Sequence, residues 1–167
     1  MAARFIIPTI ADAERIARVH VASWHEAYGG IVPAEVLSRV DEADRIERWR
    51  EYLAVPGHPT FLAEVEGEAA GFIRSGPVAQ PFVPGADGHI FALYVLRRHH
   101  RLGIGRRLLG LAARAWRGQG ARALSVGVLT ANQPARAFYE AAGACFARPD
   151  VFEWHGHSLP ESLYLFE

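Results

Sequence analysis

A short segment between residues 95 and 109 places glycines and arginines where a predicted strand turns into a predicted helix. Gly103 and Gly105 open an amphipathic run, and the first amides of such a helix have no partner within the helix. Glycine lets the backbone approach a bulky group closely, while Arg101 and Arg106 add positive charge nearby. The segment therefore predicts a main-chain binding site for a phosphate-bearing ligand.

Two familiar phosphate-binding motifs do not fit this segment. The dinucleotide fingerprint requires a third small residue where Leu108 stands, and a P-loop requires Gly-Lys-Ser/Thr, which is absent. The alternative explanation is a helix that begins with glycines and carries solvated arginines for structural reasons alone. If the segment does bind phosphate, the ligand is expected to be of another chemical type.

A second segment lies about thirty residues downstream of the glycines. Asn132 and the proline two residues later start a predicted helix that ends at Gly143, and the aromatic pair Phe138 and Tyr139 lies inside it. By itself such a pair is more often core packing than chemistry. Its order and spacing after the glycine turn give it meaning.

Together the two segments resemble the GNAT superfamily of N-acetyltransferases, over roughly residues 60–167. The family signature is a strand, then Gln/Arg-x-x-Gly-x-Gly/Ala, then a helix, and Gly103 and Gly105 match its glycines. His100 stands at the Gln/Arg position, where a ring can still donate to a phosphate but carries a charge that varies near neutral pH. Cofactor affinity is therefore expected to depend on pH.

The resemblance implies acetyl-CoA as acyl donor and no metal. In the family, the strand before the glycine turn splays away from the next strand, and the pantetheine arm lies in the gap against main-chain groups. The downstream segment matches the family pattern Asn-x-x-Ala-x-x-Phe-Tyr-x-x-x-Gly. The cofactor-binding residues implied are Leu93, Tyr94, Val95, His100, Arg101, Leu102, Gly103, Ile104, Gly105, Arg106, Asn132, Ala135 and Phe138.

The implied mechanism is direct attack of an amine on the thioester, without a covalent enzyme intermediate. An alkyl amine is free base only about once in a few thousand molecules at pH 7, so a group must take up its proton. Many relatives carry a glutamate at the position that His89 occupies in this chain. His89 is therefore the predicted base, and Glu64, on a neighbouring strand, is the reserve candidate. Tyr139 matches the family tyrosine and is predicted to stabilise or protonate the departing thiolate.

The acceptor is expected to be a small-molecule or peptide amine. Trp24 and Tyr28 end the first predicted helix, a region that shapes the acceptor pocket in similar proteins, although Trp24 also fits a core position. His155 and His157 fall short of the three or four ligands that a metal needs, and they are predicted to form a hairpin turn. Cys145, the single cysteine, excludes an intrachain disulfide.

Composition bounds the partners and the location. Lys plus Arg and Asp plus Glu number 18 each, so no overall field draws the chain onto nucleic acid or an anionic membrane. The apolar run at the N-terminus is too short for a secretory signal, and no stretch is long enough to span a membrane. A cytoplasmic protein is expected.

The elements that position these residues follow from periodicity and from turn residues. Their alternation predicts one domain over residues 1–167, an α/β mixed sheet of about seven strands with helices on both faces. Residues 89–95 predict a strand buried on both faces, and the apolar run at residues 163–166 predicts an edge strand that favours a homodimer. Strands are predicted at residues 5–7, 60–65, 69–75, 89–95, 123–128, 145–154 and 162–167.

Two further hypotheses remain open. The fold could accept another acyl donor or an alcohol acceptor, a choice expected to depend on the loop at residues 76–88. The chain could also be a non-catalytic CoA-binding sensor or interaction module, which the histidine at position 89 mildly favours. Turnover with acetyl-CoA and an amine distinguishes the enzyme from the sensor.

Overall fold

The computed structural model describes residues 2–167; Met1, the first residue of the expected domain, lies outside the described residues. The helices are α1 (Ala13–Tyr28), α2 (Ala34–Leu37), α3 (Glu42–Ala54), α4 (Ile104–Gly118) and α5 (Gln133–Ala141), with 3-10 turns at Ile10–Asp12 and Arg97–His99. The strands are β1 (Ala3–Ile6), β2 (Thr60–Val65), β3 (Glu68–Gly76), β4 (Gly88–Val95), β5 (Leu124–Leu129), β6 (Cys145–Trp154) and β7 (His157–Phe166).

One sheet contains all seven strands, in the order β1-β2-β3-β4-β5-β7-β6. Helices cover both faces of the sheet: α1 and α3 pack on one face, and α4 and α5 pack on the other. Ile16 of α1 and Trp49 of α3 pack with Phe72 of β3. Leu108 of α4 packs with Ile90 of β4 in a separate core that also contains residues of α5. The predicted fold class is confirmed.

The sheet splits between β4 and β5. These two adjacent strands run parallel, and they pair only where Gly88–Ile90 of β4 lies beside Leu124–Val126 of β5. Beyond Ile90, β4 continues alongside β3, whereas beyond Val126 β5 continues alongside β7. A gap therefore opens in the middle of the sheet, as the family resemblance implied.

The gap corrects the prediction that residues 89–95 are buried on both faces. Only the first half of β4 behaves in that way, since Phe91 is 42% exposed and residues 92–95 are half-buried. The apolar character of the strand did predict a central position. It did not reveal that the neighbouring strand departs halfway along.

The prediction of an edge strand at residues 163–166 is wrong. β7 lies between β5 and β6, so its apolar residues Leu163 and Tyr164 are buried in the sheet interior. The edges are β1 and β6, and β6 exposes Phe146, Val151 and Phe152. The expectation of a homodimer stays a prediction, without the argument on which it rested.

A buried polar contact fixes α1 against α3 on one face of the sheet. His20 Nδ1 accepts a hydrogen bond from the Trp49 indole N–H at 3.0 Å, deep between the two helices. In the 3-10 turn ahead of α1, the Asp12 carboxylate accepts from the Thr9 amide at 2.9 Å, which caps the start of the turn. Within residues 2–167, no helix has the length and apolar character needed to cross a bilayer.

Candidate active site at the split in the sheet

The N-terminus of α4 presents free amides. Gly103 adopts φ +76°, a left-handed conformation that glycine takes without strain, and it precedes the helix with no side chain to cap it. The first helical hydrogen bond runs from the Arg107 amide to the Gly103 carbonyl at 3.0 Å. The amides of residues 103–106 therefore have no acceptor within the described part of the chain.

Positive charge surrounds these amides. The first turn of α4 contains no acidic residue, while Arg106 and Arg107 are exposed there. An open groove of about 410 Å³ continues along the outer face of the helix, past Gly110 and Arg114. Free amides, the helix dipole and guanidinium groups together suit a phosphate group.

His100 bonds to the strand beside the amides. Its Nε2 donates to the Val95 carbonyl at 2.8 Å, because a carbonyl can only accept. The outer nitrogen, Nδ1, therefore carries a proton only when the ring is charged. The predicted contact of His100 with a phosphate would thus be made through Nδ1, and only by the charged ring.

Main-chain groups of β4 line the gap. The Leu96 amide donates to the Ala70 carbonyl across the β3–β4 pair. Because main-chain groups alternate in direction along a strand, those of Leu93 and Val95 point the other way, towards β5. Since β5 has departed at this level, the Leu93 groups and the Val95 amide face open space, and the Val95 carbonyl binds His100.

The two predicted cofactor segments touch each other. A methyl group at Gly105 would lie 3.3 Å from the Phe138 ring of α5, so the small residue lets α5 pack closely against the first turn of α4. Asn132 caps α5, because its side-chain oxygen accepts from the Ala135 amide at 3.3 Å. None of the side-chain hydrogen bonds among residues 2–167 involves its NH₂ group.

Tyr139 reaches the split from the α5 side. Its side chain is only 6% exposed, and none of the side-chain hydrogen bonds among residues 2–167 involves its hydroxyl. Burial raises its pKa well above the usual range, and the nearby Tyr94 hydroxyl raises it further. The phenol therefore keeps its proton at neutral pH. Tyr94, whose hydroxyl influences it, packs on the opposite face of the sheet, with α1.

Tyr94 and Tyr28 continue this arrangement on the α1 side of the sheet. Their hydroxyls form a hydrogen bond of 2.7 Å, and burial raises the pKa of both. The Trp24 indole N–H is buried near Tyr94 without a hydrogen-bond partner among the described residues. Trp24 and Tyr28 also pack against Trp154, at ring distances of 4.9 and 6.0 Å.

His89 lies where β4 and β5 are still paired. It is 8% exposed, and its Nδ1 is 2.8 Å from the Ser125 hydroxyl on β5. Burial lowers the pKa of His89 to about 4, so the ring is neutral at physiological pH. Phe82, from the loop before β4, covers it at a ring distance of 4.5 Å.

Glu64, the reserve base, lies far from the split. It is on β2, where its carboxylate accepts from Arg15 at 2.6 Å and lies 3.9 Å from Arg4 of β1. Two strands separate it from the gap. This carboxylate stabilises the packing of α1 on the sheet edge.

A carboxylate that the sequence did not single out lies at the split instead. Glu161 of β7 extends over Gly127 of β5, where a methyl group would collide with it. Gly127 is the first residue of β5 beyond the part that pairs with β4. The available signal was the glycine itself, since glycine inside a strand marks a close approach.

The pair of histidines forms a turn as predicted. His155 and Gly156 both have positive φ, and His157 begins β7, with its Nε2 2.8 Å from Glu35 of α2. Among residues 2–167, no three side chains of His, Cys, Asp or Glu are arranged to bind a metal.

Comparisons with known proteins agree with this geometry. The model of the acetyltransferase (GNAT) family matches residues 21–144. The uncharacterized N-acetyltransferase YuaI of Bacillus subtilis (strain 168) is 32% identical over 151 residues, which are 90% of this chain and 84% of that protein.

Two solved structures illustrate the likeness in fold. The PaiA N-acetyltransferase from Thermoplasma acidophilum, in complex with coenzyme A, has a TM-score of 0.70 at 20% identity, covering 97% of this chain and 98% of that chain. YncA from Salmonella typhimurium, a putative acetyltransferase with its cofactor acetyl-CoA, has a TM-score of 0.74 at 19% identity, covering 100% of this chain and 94% of that chain.

Proposed function

Because this chain belongs to the acetyltransferase (GNAT) family, we propose that it moves an acetyl group from acetyl-CoA to a primary amine by direct attack. The observation that carries the proposal is the juxtaposition of free amides at residues 103–106 with a gap between β4 and β5 against which Tyr139 packs. The acceptor is a small-molecule or peptide amine, and residues 1–167 act as one domain.

In this proposal the donor extends from the start of α4 into the gap between β4 and β5. The amides of residues 103–106 bind the diphosphate, helped by Arg101, Arg106 and the charged form of His100. The pantetheine arm then lies against the main-chain groups of Leu93 and Val95 in the gap. Remaining contacts come from neighbouring residues of the two segments: Tyr94, Leu102, Ile104, Asn132, Ala135 and Phe138. The solved structures of PaiA and YncA, with coenzyme A and acetyl-CoA, support this choice of donor.

Tyr139 is the general acid in this proposal. The amine nitrogen bonds to the thioester carbon, the carbon–sulfur bond breaks, and the sulfur leaves as a thiolate that accepts the phenolic hydrogen. A phenol with a raised pKa gives up its proton reluctantly, so its main contribution is a strong hydrogen bond to the developing negative charge. The same burial raises the pKa of the departing thiol, which favours transfer of the proton.

His89 is proposed as a base, directly or through water. Its neutral ring supports that role, whereas a pKa of about 4 makes it a weak proton acceptor. A weak base suffices for the tetrahedral adduct, whose protonated nitrogen is far more acidic than a free ammonium. The bond to Ser125 keeps the ring in one orientation.

Trp24 and Tyr28 form the wall of the acceptor site in this proposal. Both lie on the α1 side of the gap, opposite the face that meets α4 and α5, so donor and acceptor approach from different faces of the sheet. The non-catalytic sensor remains the alternative, with the same contacts to coenzyme A and no turnover.

The test is thiol release from acetyl-CoA with a panel of polyamines, amino acids, aminoglycosides and peptides. We expect turnover with at least one amine, and Tyr139→Phe should lower kcat about 100-fold while the Kd for coenzyme A stays within a few-fold, since the ring is kept. Full activity of Tyr139→Phe would remove the proposed acid. Tight binding of coenzyme A without turnover on any amine would establish the sensor.

A further inference from the structure

Glu161 points away from the helices that bind the donor. Tyr164, three residues further along β7, faces α5. Its hydroxyl donates to Glu140 at 2.8 Å and accepts from Arg136 at 3.1 Å. Since side chains alternate along a strand, Glu161 projects from the opposite face of β7. It therefore lies on the acceptor side, where it is close enough to raise the pKa of Tyr28.

The carboxylate occupies space that only glycine leaves open. Its oxygen lies directly over the Cα of Gly127, the one residue of β5 that is not buried. This position is level with the point where β4 leaves β5. A flexible side chain thus extends from β7 across β5 to the edge of the split.

The carboxylate is also unpaired. None of the hydrogen bonds and ion pairs among residues 2–167 involves it, although its cross-strand neighbour Asp150 lies 3.7 Å from Arg148. Burial and the charge of Asp150 raise the pKa of Glu161, and Arg148 lowers it to a smaller extent. Partial burial without a partner destabilises the ionised form, and an arriving cation would relieve that cost.

A pair of hydrogen-bonded tyrosines lies between Glu161 and the donor side. Glu161 raises the pKa of Tyr28, the Tyr28 hydroxyl shares a hydrogen bond with that of Tyr94, and Tyr94 raises the pKa of Tyr139. The carboxylate and the proposed acid therefore lie on either side of this tyrosine pair. The charged or titratable groups facing Glu161 are Asp150 and Arg148 of β6 and Tyr28 of α1.

We propose that Glu161 binds the ammonium form of the acceptor at the split and removes its first proton. This assignment rests on the proposed function and narrows its substrate class to alkyl primary amines, which are cationic at neutral pH. Aromatic amines, already uncharged, would gain nothing from the carboxylate. Gly127 is a positioning residue that leaves room for the carboxylate.

The proton balance requires two acceptors. An ammonium ion must lose one proton before attack and a second from the adduct, while the leaving thiolate regains one. Glu161 takes the first proton and releases it to solvent, the second passes to His89 and then to solvent, and Tyr139 regains from solvent the proton that it gives to the thiolate. Each turnover therefore releases one net proton, together with the acetylated amine and the free thiol.

The experiment compares Glu161→Gln with the wild type on an alkyl amine that the panel identifies. We expect kcat/KM to fall about 100-fold at pH 7, as for loss of a general base, with the Kd for coenzyme A unchanged. The loss should shrink as the pH approaches 10, where the amine is largely free base. Glu153→Gln, on the exposed part of β6, is the matched control and should keep wild-type rates.

Gly127→Ala provides an independent variant, because it displaces the carboxylate without removing its charge. The clashing atoms belong to the flexible ends of Glu161 and Leu163, so the fold should accommodate the methyl group. Its kcat/KM should fall in the same direction and with the same pH dependence. Thermal unfolding should show a higher Tm for Glu161→Gln, since the substitution removes an unpaired, partly buried charge.

Three results would overturn the assignment: full activity of Glu161→Gln at pH 7, a loss of equal size at every pH, or full activity of Gly127→Ala. Failure of the proposed function looks different, since the wild type itself would then release no thiol with any amine. In that case the melting temperature still tests whether the Glu161 carboxylate is unpaired. A Tm of Glu161→Gln below that of the wild type would contradict an unpaired carboxylate.

Discussion

The N-termini of α4 and α5 lie on the same face of the sheet and differ in what their first amides bind. At α5 the Gln133 amide donates to the Ala131 carbonyl, Pro134 has no amide hydrogen, and the Ala135 amide is capped by Asn132. At α4 the amides of residues 103–106 have no acceptor among the described residues.

The difference separates a helix start whose amides are satisfied from one whose amides are free to bind a ligand. A side-chain cap stabilises a helix by about 1 kcal/mol, a gain that α4 lacks because Gly103 has no side chain. What α4 gains instead is a row of free donors beside two arginines, at the mouth of the split. Stability and binding thus place opposite demands on the same local structure.

The largest expected effect comes from giving α4 a proline like that of α5. Arg106→Pro removes one free amide and a charge, whereas Arg106→Ala removes only the charge. Proline is tolerated in the first turn, where its missing amide hydrogen had no helical partner. Because a hydrogen bond to a charged group contributes about 1.5–3 kcal/mol, we expect Arg106→Pro to bind coenzyme A about 10- to 100-fold more weakly than Arg106→Ala.

Isothermal titration calorimetry measures the two affinities, and thermal unfolding checks that both variants are folded. Equal Kd values for Arg106→Pro and Arg106→Ala would show that the amide at position 106 does not contact the diphosphate.

A smaller effect, and on stability, is expected at α5. Asn132→Ala should lower the free energy of unfolding by about 1 kcal/mol, because it removes the cap on the Ala135 amide. Asn132→Asp keeps the capping oxygen and should retain most of that stability. Denaturant unfolding measures both, and the weakening of coenzyme A binding by Asn132→Ala should stay below that of Arg106→Pro. A larger loss of affinity would make α5 a second binding terminus.

The smallest expected effect concerns His100, which lies beside the free amides of α4 and has no counterpart at α5. Its Nε2 bonds to Val95, so only its outer nitrogen, Nδ1, can reach a phosphate. An exposed charged contact contributes about 0.2–1 kcal/mol, so His100→Ala should weaken coenzyme A binding up to about fivefold, as measured by calorimetry. Equal Kd values for the variant and the wild type would leave His100 without a role in binding.

Local patterns in the sequence were sufficient for the elements and for the glycine turn. The turn at Gly103 and the start of α4 follow from local residue types, because glycine takes the left-handed conformation without strain. The seven strands and the family signature also needed no long-range information. These features are determined within a few residues of themselves.

Long-range pairing escaped prediction. An apolar run at residues 163–166 suits either an edge or an interior strand, and only the pairing of β7 with both β5 and β6 decides between them. Glu161 has no distinctive local pattern, because only the pairing of β5 with β7 brings it over Gly127. His100 kept its predicted position at the turn, but its bond to Val95 depends on how the 3-10 turn folds back.

The most direct test is a crystal structure of the protein with acetyl-CoA. We expect the diphosphate oxygens within about 3 Å of the amides of residues 103–106, and the sulfur in the split next to the Tyr139 hydroxyl. A diphosphate bound at the α5 terminus or along the outer groove past Arg114, or a pantetheine arm outside the split, would contradict the account.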